Sequence, residues 1–219
     1  MIDTSRQSGI IPDDLVRALR VVIVGAGAIG SHTAETLCKM GVNKFRIYDD
    51  DDVESHNIAN QGFYLGDIGK PKVQALADRL GQGTGAEFFT HNEKLTPKSD
   101  LFEEDVVISA VDSMSARKII WDNFLISDAL YYIDGRMGAR FGQVFFVDKS
   151  NEDHVKAYED SMFDDSEAFV APCSEKSTIF CAYGLSGFIC ATVAKIITKD
   201  DISTLVEVDF ASPFLNRTV

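Results

Sequence analysis

Two hundred and nineteen residues, 45% hydrophobic and 25% charged, make a globular composition long enough to bury a core unaided, which excludes a disordered or fibrous chain. Thirty-four acids against 21 lysines and arginines leave a net charge of −13, excluding a broad basic face for nucleic acid and docking on an anionic membrane. Four scattered cysteines without a CxxC pair exclude a disulfide framework and a zinc knuckle.

The opening MIDTSRQSGIIPDD lacks the charged-then-apolar order of a secretory leader, so a cytoplasmic location is expected. Arg20–Val24 is a β-branched run that meets glycines at once, the pattern of a buried parallel strand. A helix is predicted from Ile29 to Met40, stopped by Gly41. Phe45–Tyr48 is a second strand, with four aspartates after it, Asp49 to Asp52. Gly69 to Leu80 carries Val73, Leu76, Ala77 and Leu80 on one helical face. Strands are expected at Ala86–Thr90 and Val106–Ala110, and a helix at Met114–Leu125. Leu130–Asp134 and Gln143–Val147 suit strands flanking a glycine-containing turn, RMGARFG.

From Asn151 to Glu167, seven acids face one lysine, which predicts a solvated, partly mobile crossover loop within about residues 151–176. The apolar stretch Ile179–Ile197 contains Ser, Thr, two glycines and Lys195 and reads as a buried helix rather than a membrane span. It is expected to end near Thr198, with a last strand at Thr204–Phe210. Alternating β and α elements with short connections predict one doubly wound, Rossmann-like α/β domain over residues 1–219. Its sheet is mostly parallel with helices on both faces, and additional strands lie near the C-terminus.

The turn Gly25-Ala26-Gly27-Ala28-Ile29-Gly30 comes after a strand and opens a helix. Gly25 suits the tight turn, Gly27 a close phosphate, and Gly30 close packing of helix on strand. Asp49, at the end of the second strand, is placed to accept from a ribose. A tight turn can carry glycines with no ligand, but with the strand and the acid in place these residues read as a nucleotide site, by default that of a dinucleotide oxidoreductase.

The residues after the second strand narrow the choice. The stretch IYDDDDVESHNIANQGFYLGDIGKPKVQALADRL resembles the ThiF family, ATP-dependent adenylyltransferases that activate sulfur-carrier and ubiquitin-like proteins. Asp49, Asp51, Val53 and Asn57 match its Asp-x-Asp-x-Val-x-x-x-Asn element. Gln61 matches the glutamine of an Arg-Gln pair, and Gly69, Pro71 and Lys72 match Gly-x-Pro-Lys. Asp112 and Arg117 match an Asp-Asn-x-x-x-Arg element, and Arg6-Gln7 an amino-terminal Arg-Gln. The resemblance implies ATP and Mg2+ as cofactors and, as partner, a small ubiquitin-like or sulfur-carrier protein adenylated at its C-terminal carboxylate. It implies Lys72 at the triphosphate, Asp112 as magnesium ligand, Asp49 at the ribose and Asn57 at a phosphate or ribose. Arg6 would reach a phosphate in the neighbouring subunit of a homodimer.

Two departures stand out. Asn60 occupies the place of the family's phosphate-directed arginine, and Ser113 comes after Asp112 where asparagine is common. Lys70, Arg136 and Arg140 are the basic residues that could compensate at position 60, and a nucleotide-binding scaffold without catalysis is the alternative. Cys173, in VAPCSEKST before the last long helix, is a candidate nucleophile beside Lys176, or core filler like Cys181 and Cys190.

Overall fold

Arg20–Val24 forms β1 at the centre of the sheet. Val21 and Ile23 point into one core while Val22 and Val24 point into the other, which explains a strand that is apolar without alternation. The computed structural model describes residues 2–97, 99, 104–167, 177–212 and 214–218. After α1 (Asp13–Ala18) and β1 come α2 (Ala28–Met40), β2 (Lys44–Tyr48), α3 (Lys72–Thr84), β3 (Glu87–His91) and β4 (Val106–Ser109). Next in the chain are α4 (Met114–Ile126), β5 (Tyr131–Gly138), β6 (Phe141–Asp148), α5 (Glu152–Asp160), α6 (Ile179–Thr198), β7 (Leu205–Asp209) and β8 (Phe214–Thr218).

The strand order is β3-β2-β1-β4-β5-β6-β7-β8. From β3 to β5 neighbours run parallel, and from β5 to β8 they run antiparallel. Residues of α1, α2, α3 and α6 fill the core on one face, around Phe45, Ile47 and Ile108. Those of α4 and α5 fill the other, around Trp121, Tyr132 and Tyr158. This is the doubly wound α/β arrangement expected, with antiparallel strands added. Its connection reverses between β1 and β4, which opens a crevice at their carboxyl ends.

Several local expectations need correction. The third helix starts at Lys72, not Gly69, because Pro71 is extended and bridges Asp52, so the preceding residues belong to a turn. RMGARFG is mostly strand: Arg136 pairs with Gln143, Met137 with Gly142 and Gly138 with Phe141, leaving Ala139–Arg140 as the turn. Ladder hydrogen bonds outweigh the weak strand preference of the glycines there. The acidic segment is not simply a loop. Asn151 accepts from the amides of Asp153 and His154, Glu152 and Asp153 suit the first turn of α5, and Tyr158 is buried. Further on, Asp165 accepts from the amides of Met114 and Ser115 (2.6 and 3.2 Å), pinning the crossover to the amino terminus of α4. Residues 168–176 of the predicted crossover lie outside the described residues.

The apolar run is a core helix. By length and composition α6 could cross a bilayer, but it packs along α2, with Cys181, Leu185, Ile189 and Val193 buried. The strand β8 is not among the expected elements. Its five residues are all exposed, so no burial pattern marks them.

Candidate functional site

The glycine turn separates into two structural positions and one open one. Gly25 has φ +97°, and an added Cβ would lie 2.6 Å from the Ala110 carbonyl oxygen at the end of β4. At Gly30 a Cβ would collide with the Gly25 carbonyl. Both glycines are therefore demanded by the chain's own backbone. Gly27 is not: a Cβ there meets nothing within 4 Å. It stands before the first turn of α2, whose free amides favour an anion.

Asp49 ties this turn to a buried lysine. One carboxylate oxygen accepts from the Ala26 amide at 2.6 Å, and the other accepts from Asp51 N at 2.9 Å and faces Lys72 Nζ at 3.9 Å. Burial raises the Asp49 carboxyl above its ordinary range, and the Lys72 charge opposes that shift. Lys72, 5% exposed, opens α3 and also meets Asp51 at 2.6 Å. Asp49, Asp50 and Asp51 bring carboxylate oxygens within 4.8 Å of one another; Lys72 answers Asp49 and Asp51, and Lys94 lies 3.7 Å from Asp50.

Asn57, Asn60 and Gln61 belong to a 3-10 turn (Ser55–Ala59) and the residues after it. Asn57 is buried and its side-chain oxygen accepts from Glu54 N at 2.8 Å, so it shapes the turn. That turn docks on the start of α2. Gly62 N donates to Ser31 Oγ at 2.8 Å, Ser31 donates to the Gly27 carbonyl at 2.6 Å, and the Asn60 carbonyl lies 3.3 Å from His32 Nε2. The side-chain oxygens of Asn60 and Gln61 are buried without a partner among the described residues, which a ligand donor could answer.

Asp112 is exposed just beyond β4, two residues past the Ala110 that contacts Gly25. It does not cap α4, since the Ser113 hydroxyl accepts from Ala116 N instead. Arg117 holds its loop: buried, it donates to both Asp134 oxygens (3.0 and 3.1 Å) and to the Val111 carbonyl. Asp134 also accepts from Arg136 at 2.7 Å and from the Tyr158 hydroxyl at 3.1 Å. Sequence reading missed this anchor, although Asp134 ending a strand six residues before Arg140 was visible.

Gly25, Gly27, Gly30, Asp49, Asp51, Asn60, Gln61, Lys72 and Asp112 thus converge at one edge of the sheet. Backbone amides at the open glycine and one buried ammonium suit the phosphate oxygens of a nucleotide, the amide oxygens suit a hydroxyl or amino donor, and the exposed carboxylate suits a hard cation. Arg6 does not join them. Its neighbour Gln7 donates to the Met40 carbonyl at 2.6 Å, at the far end of α2, about 20 Å from the turn along a 13-residue helix. Cys173 lies outside the described residues. Cys38, Cys181 and Cys190 are buried free thiols, and burial pushes Cys38 up to about 12 and Cys181 to about 11, so all three are core residues.

A family model described as the ThiF family matches residues 6–217. The chain is 33% identical over 133 residues to ubiquitin-like modifier-activating enzyme 5 of Gallus gallus, covering 52% of this chain and 33% of that protein. It is 30% identical over 116 residues to the adenylyltransferase and sulfurtransferase UBA4 of Yarrowia lipolytica, covering 51% and 29%. The chain therefore matches about a third of the length of these curated relatives. It superposes on crystalline PaaA with a TM-score of 0.76 at 22% identity, covering 99% of this chain and 68% of that one. On E. coli MccB crystallised with AMPCPP and MccA the TM-score is 0.73 at 16% identity, covering 94% and 65%. At those identities the structural likeness is one of fold.

Proposed function

The chain belongs to the ThiF family, and on that premise we propose that it is an ATP- and magnesium-dependent adenylyltransferase. Its substrate in this reading is the C-terminal carboxylate of a small ubiquitin-like or sulfur-carrier protein. Support comes from relatives named as a modifier-activating enzyme and an adenylyltransferase. The observation that carries the reading is Asp49, one carboxylate joining the open glycine turn to the buried Lys72.

ATP supplies an α-phosphorus for a carboxylate oxygen to attack, with pyrophosphate leaving. Two anions must meet, so catalysis is mainly charge neutralisation and positioning. The Gly27 turn and the amino terminus of α2 receive phosphate oxygens on backbone amides. Lys72 offers a point charge that Asp49 and Asp51 keep in place. Asp112, exposed at the edge of β4, would hold the magnesium ion. Asp49 braces the turn and stands ready for a ribose hydroxyl. Arg6, far from the site of its own chain, would act across a homodimer. The exposed apolar residues Phe180 and Tyr183 of α6 and Phe214 and Leu215 of β8 offer surface for that contact.

ATP–pyrophosphate exchange with a small carrier protein ending in Gly-Gly tests the reading. Lys72→Ala and Asp112→Ala should each lower exchange by about a hundredfold or more while circular dichroism shows both folded. Near wild-type exchange in both variants would sink the mechanism.

A further inference from the structure

We propose that Arg140, at the tip of the β5–β6 hairpin, supplies the phosphate-directed positive charge that position 60 lacks. This rests on the ATP-site reading above. Asn60 sits beside the first turn of α2, held there through His32, and has donors but no charge. Its side-chain amide is spent on the Ser177 hydroxyl.

Among the described residues, the other cations close to the site are already answered by acids, Lys72 by Asp49 and Asp51. Lys70 pairs with Asp67 at 3.1 Å. Arg79 pairs with Glu35 at 3.2 Å, donates to the Gly62 carbonyl and lies over the Tyr64 ring. Arg136 is held by Asp134 at 2.7 Å and by the Ser161 carbonyl and hydroxyl, both at 3.0 Å. Arg140 alone among the three compensating candidates is exposed with no ion-pair or hydrogen-bond partner for its guanidinium among the described residues.

Topology brings Arg140 to the right edge. The β4–β5 ladder ends at Ser109 and Asp134, yet β5 continues four residues further, to Gly138, about 13 Å beyond β4 on the carboxyl side. The hairpin tip is then fastened to the start of α6: Ala139 bridges Ser177, and the Thr178 hydroxyl donates to the Ala139 carbonyl at 3.0 Å. Ser177 is the same residue that Asn60 contacts. Bridged backbones stand about 5 Å apart and the next Cα about 3.8 Å further, so Arg140 starts within a side chain's length of the Asn60 surroundings. A guanidinium there can fork two oxygens of a terminal phosphate.

Titration of the intact chain with Mg·ATP and with AMP, by calorimetry, tests the assignment. Arg140→Ala should weaken ATP binding about tenfold or more and leave AMP binding unchanged, since AMP lacks the terminal phosphates. Arg140→Lys should recover part of the loss, and Asn60→Arg added to Arg140→Ala should recover most of it. Thermal unfolding of Arg140→Ala should match wild type, because the side chain is exposed. Equal loss for both nucleotides, or none for ATP, overturns the role of Arg140 while leaving the ATP site standing. A folded wild type that binds neither nucleotide overturns the ATP site and this role together.

Discussion

At Gly30 an added Cβ would run into the Gly25 carbonyl, and neither backbone can yield without opening the turn against β4. At Gly27, three residues earlier, the same atom meets nothing. Two substitutions of similar chemistry should therefore fail in different assays. Gly30→Ala is expected to cost about 1–3 kcal/mol of stability by overpacking, visible in urea unfolding. Gly27→Val should keep its unfolding midpoint and lose ATP binding, because its side chain would stand where a phosphate must approach. Normal ATP affinity in Gly27→Val would make the turn purely structural.

At the scale of elements, two polar joints hold the site edge together. Asp134 on β5 is fully buried and accepts from Arg117 of α4, from Arg136 and from Tyr158 of α5. An exposed pair such as Lys118–Asp122 contributes about 0.3–0.5 kcal/mol at most. Asp134→Ala leaves two guanidiniums without their carboxylate and should cost about 3–5 kcal/mol, read as a lower urea midpoint. A midpoint within experimental error of wild type would contradict that account. The second joint is His32 of α2, stacked on Tyr183 of α6 with ring centroids 4.0 Å apart and close to the Asn60 carbonyl. Burial lowers its pKa from 6.5, with the Asn60 carbonyl opposing. The unfolded chain therefore takes up the proton first. Stability from this group is complete above pH 6.5 and is lost as pH falls from there to the depressed folded value. Comparing unfolding midpoints of wild type and His32→Gln between about pH 7.5 and 5 should show a steeper acid loss in wild type. Parallel curves would show that His32 protonation carries no linkage.

For the whole molecule, the distance of Arg6 from the glycine turn within one chain sets the expected assembly. If Arg6 serves the partner's site, Arg6→Ala and Lys72→Ala chains should each be inactive alone. Mixed after subunit exchange, they should regain about a quarter to a half of wild-type exchange in heterodimers carrying one intact site, by the symmetry of a two-fold pair. No recovery with exchange verified, or a monomer by light scattering at assay concentration, would remove Arg6 from the mechanism.

How much could be read from the residues depends on where their information lies. The central strand, the glycine turn, α2 and α4 are local patterns, with boundaries set by burial periodicity and by residues such as Gly41, so they were legible within a residue or two. That Asp49 and Asp112 stand just past the carboxyl ends of β2 and β4, and that Lys72 opens α3, was legible as well, because each follows directly on a local strand or helix pattern. The acidic segment misled, since counting charges hides that Asn151 caps a helix and Tyr158 anchors it. Partners distant in sequence were beyond reach. Asp134 between Arg117 and Arg136, and Ser177 between Ala139 and Asn60, depend on which elements the sheet brings side by side. The chain by itself determined its alternating elements and which residue types stand beside the glycine turn as candidates for a nucleotide, because those rest on local backbone preference and side-chain type. Only the tertiary structure decided which of Lys70, Arg136 and Arg140 are spent in ion pairs among the described residues and which is left over, because that depends on distances no linear spacing contains.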